Sequence, residues 1–202
     1  MSILSAIENR RSIAVLADPA PNEHELALIL RAAQHAPDHG RLKPWRFLLI
    51  KGDSRAALGQ LYLKAAKVQS TTLSEDQQNR IANLPLRAPL IIVAIAQVIE
   101  NHKVPVIEQI IATGAAVQNI LLAVQALNYG AMWRTGEMAY NEVVKQGLGL
   151  NSADEIVAYL YVGTAGTEPK ARADVDFADY CREWLDPNGP PVCDCFIEVA
   201  GV

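Results

Sequence analysis

Between Ile107 and Leu127 the chain carries one long helical pattern that is apolar on nearly every side. Ile110, Ile111, Ala115, Ala116, Ile120, Leu121 and Val124 dominate it, with few polar residues such as Gln109, Thr113, Gln118 and Asn119. A helix without a wet face belongs in the middle of a fold or between subunits. Its small residues, Ala112, Gly114, Ala115 and Ala116, permit close packing by neighbouring helices. The rest of the chain must therefore supply layers that cover this helix.

Three runs can do so as strands buried on both faces: Arg46 to Lys51, Pro89 to Gln97 and Glu155 to Gly163. Helices are expected over about 2–9, from a cap at Asn22 through Leu26, Ile29, Leu30 and Ala33, over about 55–68, and over about 141–147. Asp18 to Pro21 reads as a stiff loop, and Ser70 to Arg87 as a polar one. Residues 129–136 leave the long helix through Gly130. Strands alternating with helices mean an α/β or α+β fold whose sheet is covered on both faces. With 202 residues, one domain is expected.

Several function classes are excluded. The net charge of −4 supplies no clustered basic surface for nucleic acid and no attraction to an anionic membrane. The longest unbroken apolar stretch, about 89–98, is too short to span a bilayer. No basic segment followed by an apolar run opens the chain, so a cytoplasmic location is expected. The three cysteines, Cys181, Cys193 and Cys195, crowd near one end and form no disulfide framework. They read as reduced thiols, with a redox-active or metal-capturing tail as the alternative. There is no dinucleotide-binding glycine fingerprint, no phosphate-binding P-loop, no serine nucleophile elbow and no zinc spacing. His35 and His39 stand four apart, but Pro37 breaks the helix that would align them on a metal.

Three segments carry chemistry. Arg10-Arg11-Ser12 offers two guanidiniums and a hydroxyl at a helix end, a good phosphate grip. A solvated basic turn at a helix C-terminus is the other reading. Pro37-Asp38-His39-Gly40-Arg41, ahead of Lys43-Pro44-Trp45, is a rigid polar turn that can present donors to a flat ligand or be an ordinary loop. Trp133-Arg134-Thr135-Gly136 follows the buried helix and can stack on, or bond the edge of, an aromatic heterocycle. A buried Trp beside a surface Arg is the alternative.

Taken in order, these segments resemble the nitroreductase family of FMN enzymes, and its short single-domain bacterial branch in particular. The similar residues are Asn9 to Ser12, Asp18 to Pro21, Ala36 to His39 leading into Pro44-Trp45, Arg87 to Ile92, Glu100 to Pro105, Trp133 to Gly136 and Leu160 to Thr164. The resemblance covers about residues 2–172. It implies an α+β fold with a central mixed sheet flanked by helices, and a homodimer with the long helix at its interface. It implies one FMN per subunit, in a cleft shared by both chains, with NAD(P)H as reductant and a nitroaromatic, quinone or related acceptor.

Carried over by position, Arg10, Arg11 and Ser12 hold the phosphate and ribityl chain. His35 and His39 approach the flavin from the neighbouring chain. Trp133, Arg134 and Thr135 line the ring, and Lys170 and Arg172 complete the phosphate site. The stretch from Ala123 to Asn128 lies near nicotinamide. No side chain is assigned as catalytic and no metal is implied, since the flavin performs the chemistry. A non-catalytic flavin sensor or carrier is the alternative. Two departures stand out: Ala14 where many relatives have a basic residue, and His35 where close relatives prefer Arg. Residues 1–173 form the expected FMN-binding domain. Residues 174–202 form a C-terminal extension, with packing on the partner subunit as its candidate role.

Overall fold

The alternation along Leu90–Ala96 decides the architecture. In a computed structural model of the chain this strand is buried along its whole length. Leu90, Ile92 and Ala94 face one apolar core, and Ile91, Val93 and Ile95 face the other. A strand whose two faces are both dry must be covered by helices on each side. The structure describes residues 2–70 and 72–167. These fall within the first of two units, Met1–Pro169, while the second, Lys170–Val202, lies outside the described residues.

The elements follow in order: α1 (Ile3–Asn9), β1 (Leu16–Ala17), α2 (Glu23–Ala33), β2 (Trp45–Lys51), α3 (Ser54–Gln69), α4 (Glu75–Ala82), β3 (Leu90–Ala96), α5 (Val106–Ala126), β4 (Gly130–Arg134), α6 (Glu142–Gly147) and β5 (Glu155–Ala165). Short 3-10 helices lie at His39–Arg41, Leu84–Arg87 and Glu137–Ala139. The sheet runs β1-β5-β3-β2, with β4 also paired to β5. On one face α2 and α5 pack over the sheet, and on the other α3 and α6 do. This is the expected α+β arrangement.

The expected mixed sheet is instead antiparallel in every ladder among the described residues. The reason lies in the connections. Lys51 and Leu90 are direct partners, so the excursion through α3 and α4 leaves and returns at one end of the sheet. A pair of helices brings the chain back reversed, whereas a single crossover helix would keep it parallel. β3 and β4 do run in the same direction, joined through α5, but β5 lies between them.

Three further expectations change. β2 is not buried on both faces: Arg46, Leu49 and Lys51 are exposed because β2 is the edge of the sheet. The polar stretch 70–87 contains α4, started by a reciprocal capping box between Ser74 and Gln77. Residues 130–134, expected only to lead out of the long helix, form a strand.

By length and composition α5 could cross a bilayer. In this fold it is the core helix, burying Gln109, Ala112, Thr113, Ala116, Val117, Ile120, Leu121 and Val124. Its other face carries Val106, Ile107 and Ile111, all exposed.

Candidate functional site

α1 ends at Asn9, and Arg10 already has extended backbone. The segment then runs beside β4, where the Ile13 N–H donates to the Ala131 carbonyl at 2.9 Å. Gly130 makes this approach possible, since a Cβ there would lie 2.8 Å from the Leu16 side chain and 3.1 Å from that of Ile13. The Arg11 guanidinium donates to the Glu8 carbonyl at 2.5 Å and to the Arg10 carbonyl at 3.0 Å. A cation at the C-terminal end of a helix is favoured by the exposed carbonyls there.

Arg10 and Arg11 line a cavity of about 330 Å³ together with Gln125 and Asn128 at the end of α5 and Ala165 at the end of β5. Gln125 also ties α1 to α5, its Nε2 donating to the Ala6 carbonyl at 3.1 Å. Ser12 is exposed on the same segment.

The far end of β4 borders a second cavity, of about 650 Å³. Arg134, Thr135 and Gly136 line it, as do Arg80 of α4 and Arg87 of the 3-10 helix after it. Tyr62, Tyr159 and Tyr161 contribute aromatic surface. The Arg134 guanidinium carbon stands 5.8 Å from the centre of the Tyr161 ring, within cation–π range. Burial pushes the Tyr161 hydroxyl above its ordinary range, while the positive charges of Arg134 and Arg87 pull it back. Gly136 has φ +61°, and nothing lies within 4 Å of where a Cβ would stand. Backbone is therefore open to close approach by a flat ligand at that point.

Trp133 does not join this wall. Its indole Nε1 donates to the Val157 carbonyl at 3.2 Å, on the opposite side of β4 from Arg134. Successive strand residues point to opposite faces, so Trp133 and Arg134 cannot line one surface side by side. From Ala131 to Thr135 the strand spans about 13 Å. β4 thus links the Arg10-Arg11 cavity to the Arg134-Thr135 cavity.

His35 and His39 stand elsewhere. His35 is exposed just beyond the end of α2. The His39 Nδ1 lies 2.5 Å from a carboxylate oxygen of Glu108, in the first turn of α5. Gln125 is at the other end of that helix, about 26 Å away at 1.5 Å per residue. Within one chain His39 is remote from the Arg10-Arg11 cavity. Lys170, Arg172, Cys181, Cys193 and Cys195 lie outside the described residues.

Arg80 and Arg87 are site residues that the sequence did not single out. Reading 70–87 as a loop hid them, although Ser74-Glu75-Asp76-Gln77 is a helix-start signature.

Residues 7–164 match the model of the Nitroreductase family. The Escherichia coli (strain K12) protein YdjA, named as an NAD(P)H nitroreductase, is 38% identical over 180 residues, covering 89% of this chain and 96% of the relative. A Haemophilus influenzae protein of the same naming is 32% identical over 185 residues, covering 89% of this chain and 100% of the relative. Among solved structures, a nitroreductase-like family protein from Bacillus cereus superposes with a TM-score of 0.80 at 25% identity, covering 92% of this chain and 97% of that one. A Desulfovibrio desulfuricans structure, described as a nitroreductase in complex with FMN, gives a TM-score of 0.69 at 28% identity, covering 93% and 99%. With a family match spanning most of its length and relatives aligned almost end to end, this chain belongs to the nitroreductase family of oxidoreductases.

Proposed function

We propose that this chain is an FMN-dependent NAD(P)H oxidoreductase acting on nitroaromatic, quinone or related acceptors, with each flavin site built by two copies of the chain. The observation that carries it is the backbone pairing of Ile13 with Ala131. It sets Arg10-Arg11-Ser12 at one end of β4, while Arg134-Thr135-Gly136 stands at the other. The donor set fits the cofactor: guanidiniums and a hydroxyl for a phosphate, and open glycine backbone with a cation for the edge of a flat ring.

When bound, FMN supplies the redox chemistry, taking hydride from NAD(P)H and delivering electrons to the acceptor. The protein's own residues have simpler tasks. Arg10, Arg11 and Ser12 hold the phosphate. Arg134 places positive charge beside the ring, where Ala14 supplies none, and thereby favours the electron-rich form. Thr135 and Gly136 position the ring edge, and Trp133 buttresses β4 from behind. If reductant and acceptor use the same cavity in turn, ping-pong kinetics would result.

The second copy follows from two features. Ile107 and Ile111 are 59% and 62% exposed on α5, and Ile3, Leu4 and Ile7 are exposed on α1. Large apolar side chains left exposed on two helices mark an interface. His39 lies at the opposite end of α5 from its own chain's Arg10-Arg11 cavity, so a partner running the other way brings His35 and His39 to it.

The test is spectroscopic. Purified protein is expected to be yellow, or to become so on adding FMN, and to bleach with NAD(P)H under anaerobic conditions. Failure to take up FMN overturns the cofactor assignment. Uptake without bleaching makes the protein a flavin sensor or carrier instead.

A further inference from the structure

The larger cavity holds more positive charge than a flavin ring edge requires. Three guanidiniums, Arg80, Arg87 and Arg134, face one carboxylate, Glu137, across its lining. Among the described residues the guanidiniums of Arg80 and Arg87 make no hydrogen bond or ion pair. Arg134 has the Tyr161 ring as its neighbour. The whole chain is acidic, with a net charge of −4, so this is a local concentration rather than a share of a basic surface. Arg80 and Arg87 are solvent-exposed and keep their donors available for a charge-assisted contact with an anion.

The remaining lining is of a different kind. Leu73, Ile81, Leu84 and Met138 are apolar, and Tyr62 and Tyr159 pack edge to face with ring centres 5.7 Å apart. The buried Tyr62 hydroxyl makes no well-formed hydrogen bond. At about 650 Å³ the cavity has the volume of a small-molecule site. An apolar and aromatic floor with guanidiniums at the rim is complementary to a small aromatic ring that bears a carboxylate.

We infer that this cavity is the acceptor subsite, and that Arg80 and Arg87 select acceptors carrying a carboxylate on an aromatic ring. The inference rests on the flavin reading for the identity of the acceptor, but the anion site itself stands on the cavity alone. Arg134 serves the flavin, and Arg80 and Arg87 hold the carboxylate.

The experiment is calorimetric titration of the full chain with benzoate, benzamide and inorganic phosphate, each with and without saturating FMN. Benzoate is expected to bind at least about tenfold more tightly than its neutral analogue benzamide, the effect of one charge-assisted contact. Arg80→Gln and Arg87→Gln are each expected to erase most of that ratio. Arg31→Gln, exposed on α2 away from the cavity, is expected to preserve it. Equal binding of benzoate and benzamide, or a ratio that survives both substitutions, overturns the inference. Phosphate binding as tight as benzoate removes the aromatic part of it. Loss of benzoate binding when FMN saturates the protein also overturns it, because the cavity would then belong to the flavin. A protein that takes up no FMN but still prefers benzoate keeps the anion site and fails the cofactor reading, so the two are separable. In turnover, 4-nitrobenzoate is expected to have a KM about tenfold below that of 4-nitrobenzyl alcohol, a gap that Arg87→Gln narrows.

Discussion

At the scale of single residues, two side chains show how differently a polar group can serve this protein. Arg11 stands at a cavity wall, and among the described residues its side chain bonds only carbonyls of its own helix end. Replacing it leaves no buried group stranded, so stability should change little. Its contact with a phosphate would be charge-assisted, worth about 1.5–3 kcal/mol. Arg11→Ala is therefore expected to weaken FMN binding by about tenfold to a hundredfold, read by titration of flavin fluorescence, with the melting temperature of the apoprotein nearly unchanged. Gln109 is the reverse case. Buried in α5, it accepts from the Ile99 N–H at 2.9 Å and donates to the carbonyls of Ile99 and Val104 at 3.0 and 3.1 Å. It thereby pins the loop carrying Glu100 to Lys103. Gln109→Leu keeps the volume but strands those backbone groups, and should cost about 2–4 kcal/mol in urea unfolding. A loss below about 0.5 kcal/mol would mean that water replaces the side chain.

Among the elements, α4 carries the clearest lesson about legibility. The sequence marks the start of α2, where Asn22 and Glu25 form a capping box before an apolar face. α4 has the same kind of box, from Ser74 and Gln77, but buries no residue completely. Without an apolar stripe the periodic signal vanishes, and the helix exists because α3 packs on it. That packing is close: a Cβ on Gly59 of α3 would lie 1.9 Å from the Ala82 carbonyl oxygen. Gly59→Ala must push α4 away, and is expected to destabilise by about 1–3 kcal/mol. Because α4 walls the larger cavity, benzoate affinity should fall with it, which pairs a denaturation curve with a binding curve. β4 was hidden for another reason. Gly130-Ala131-Met132-Trp133-Arg134 alternates weakly, and its pairing with β5 supplies what its composition does not.

For the whole molecule the governing fact is that α5 is apolar all round yet covered on one side. Eight of its residues are buried by the chain's own α2 and sheet, and Ile107 and Ile111 face outward. In the proposed dimer a second copy covers that face and returns His39 to the flavin site. Ile111→Glu is expected to halve the mass seen by sedimentation, to keep the far-ultraviolet circular dichroism, and to lose FMN affinity. A wild-type protein that sediments as a monomer would remove the shared site. What the sequence determined by itself is what depends on local chemistry: the helix cap at Asn22, the doubly buried β3 and the apolar α5. The tertiary structure decided what depends on neighbours: that β2 is an edge, that Trp133 and Arg134 part to opposite faces, and that Arg80 and Arg87 meet Arg134 across one cavity. Caps and periodicity are written within a few residues of one another, whereas an edge or a cavity wall exists only once distant segments have packed.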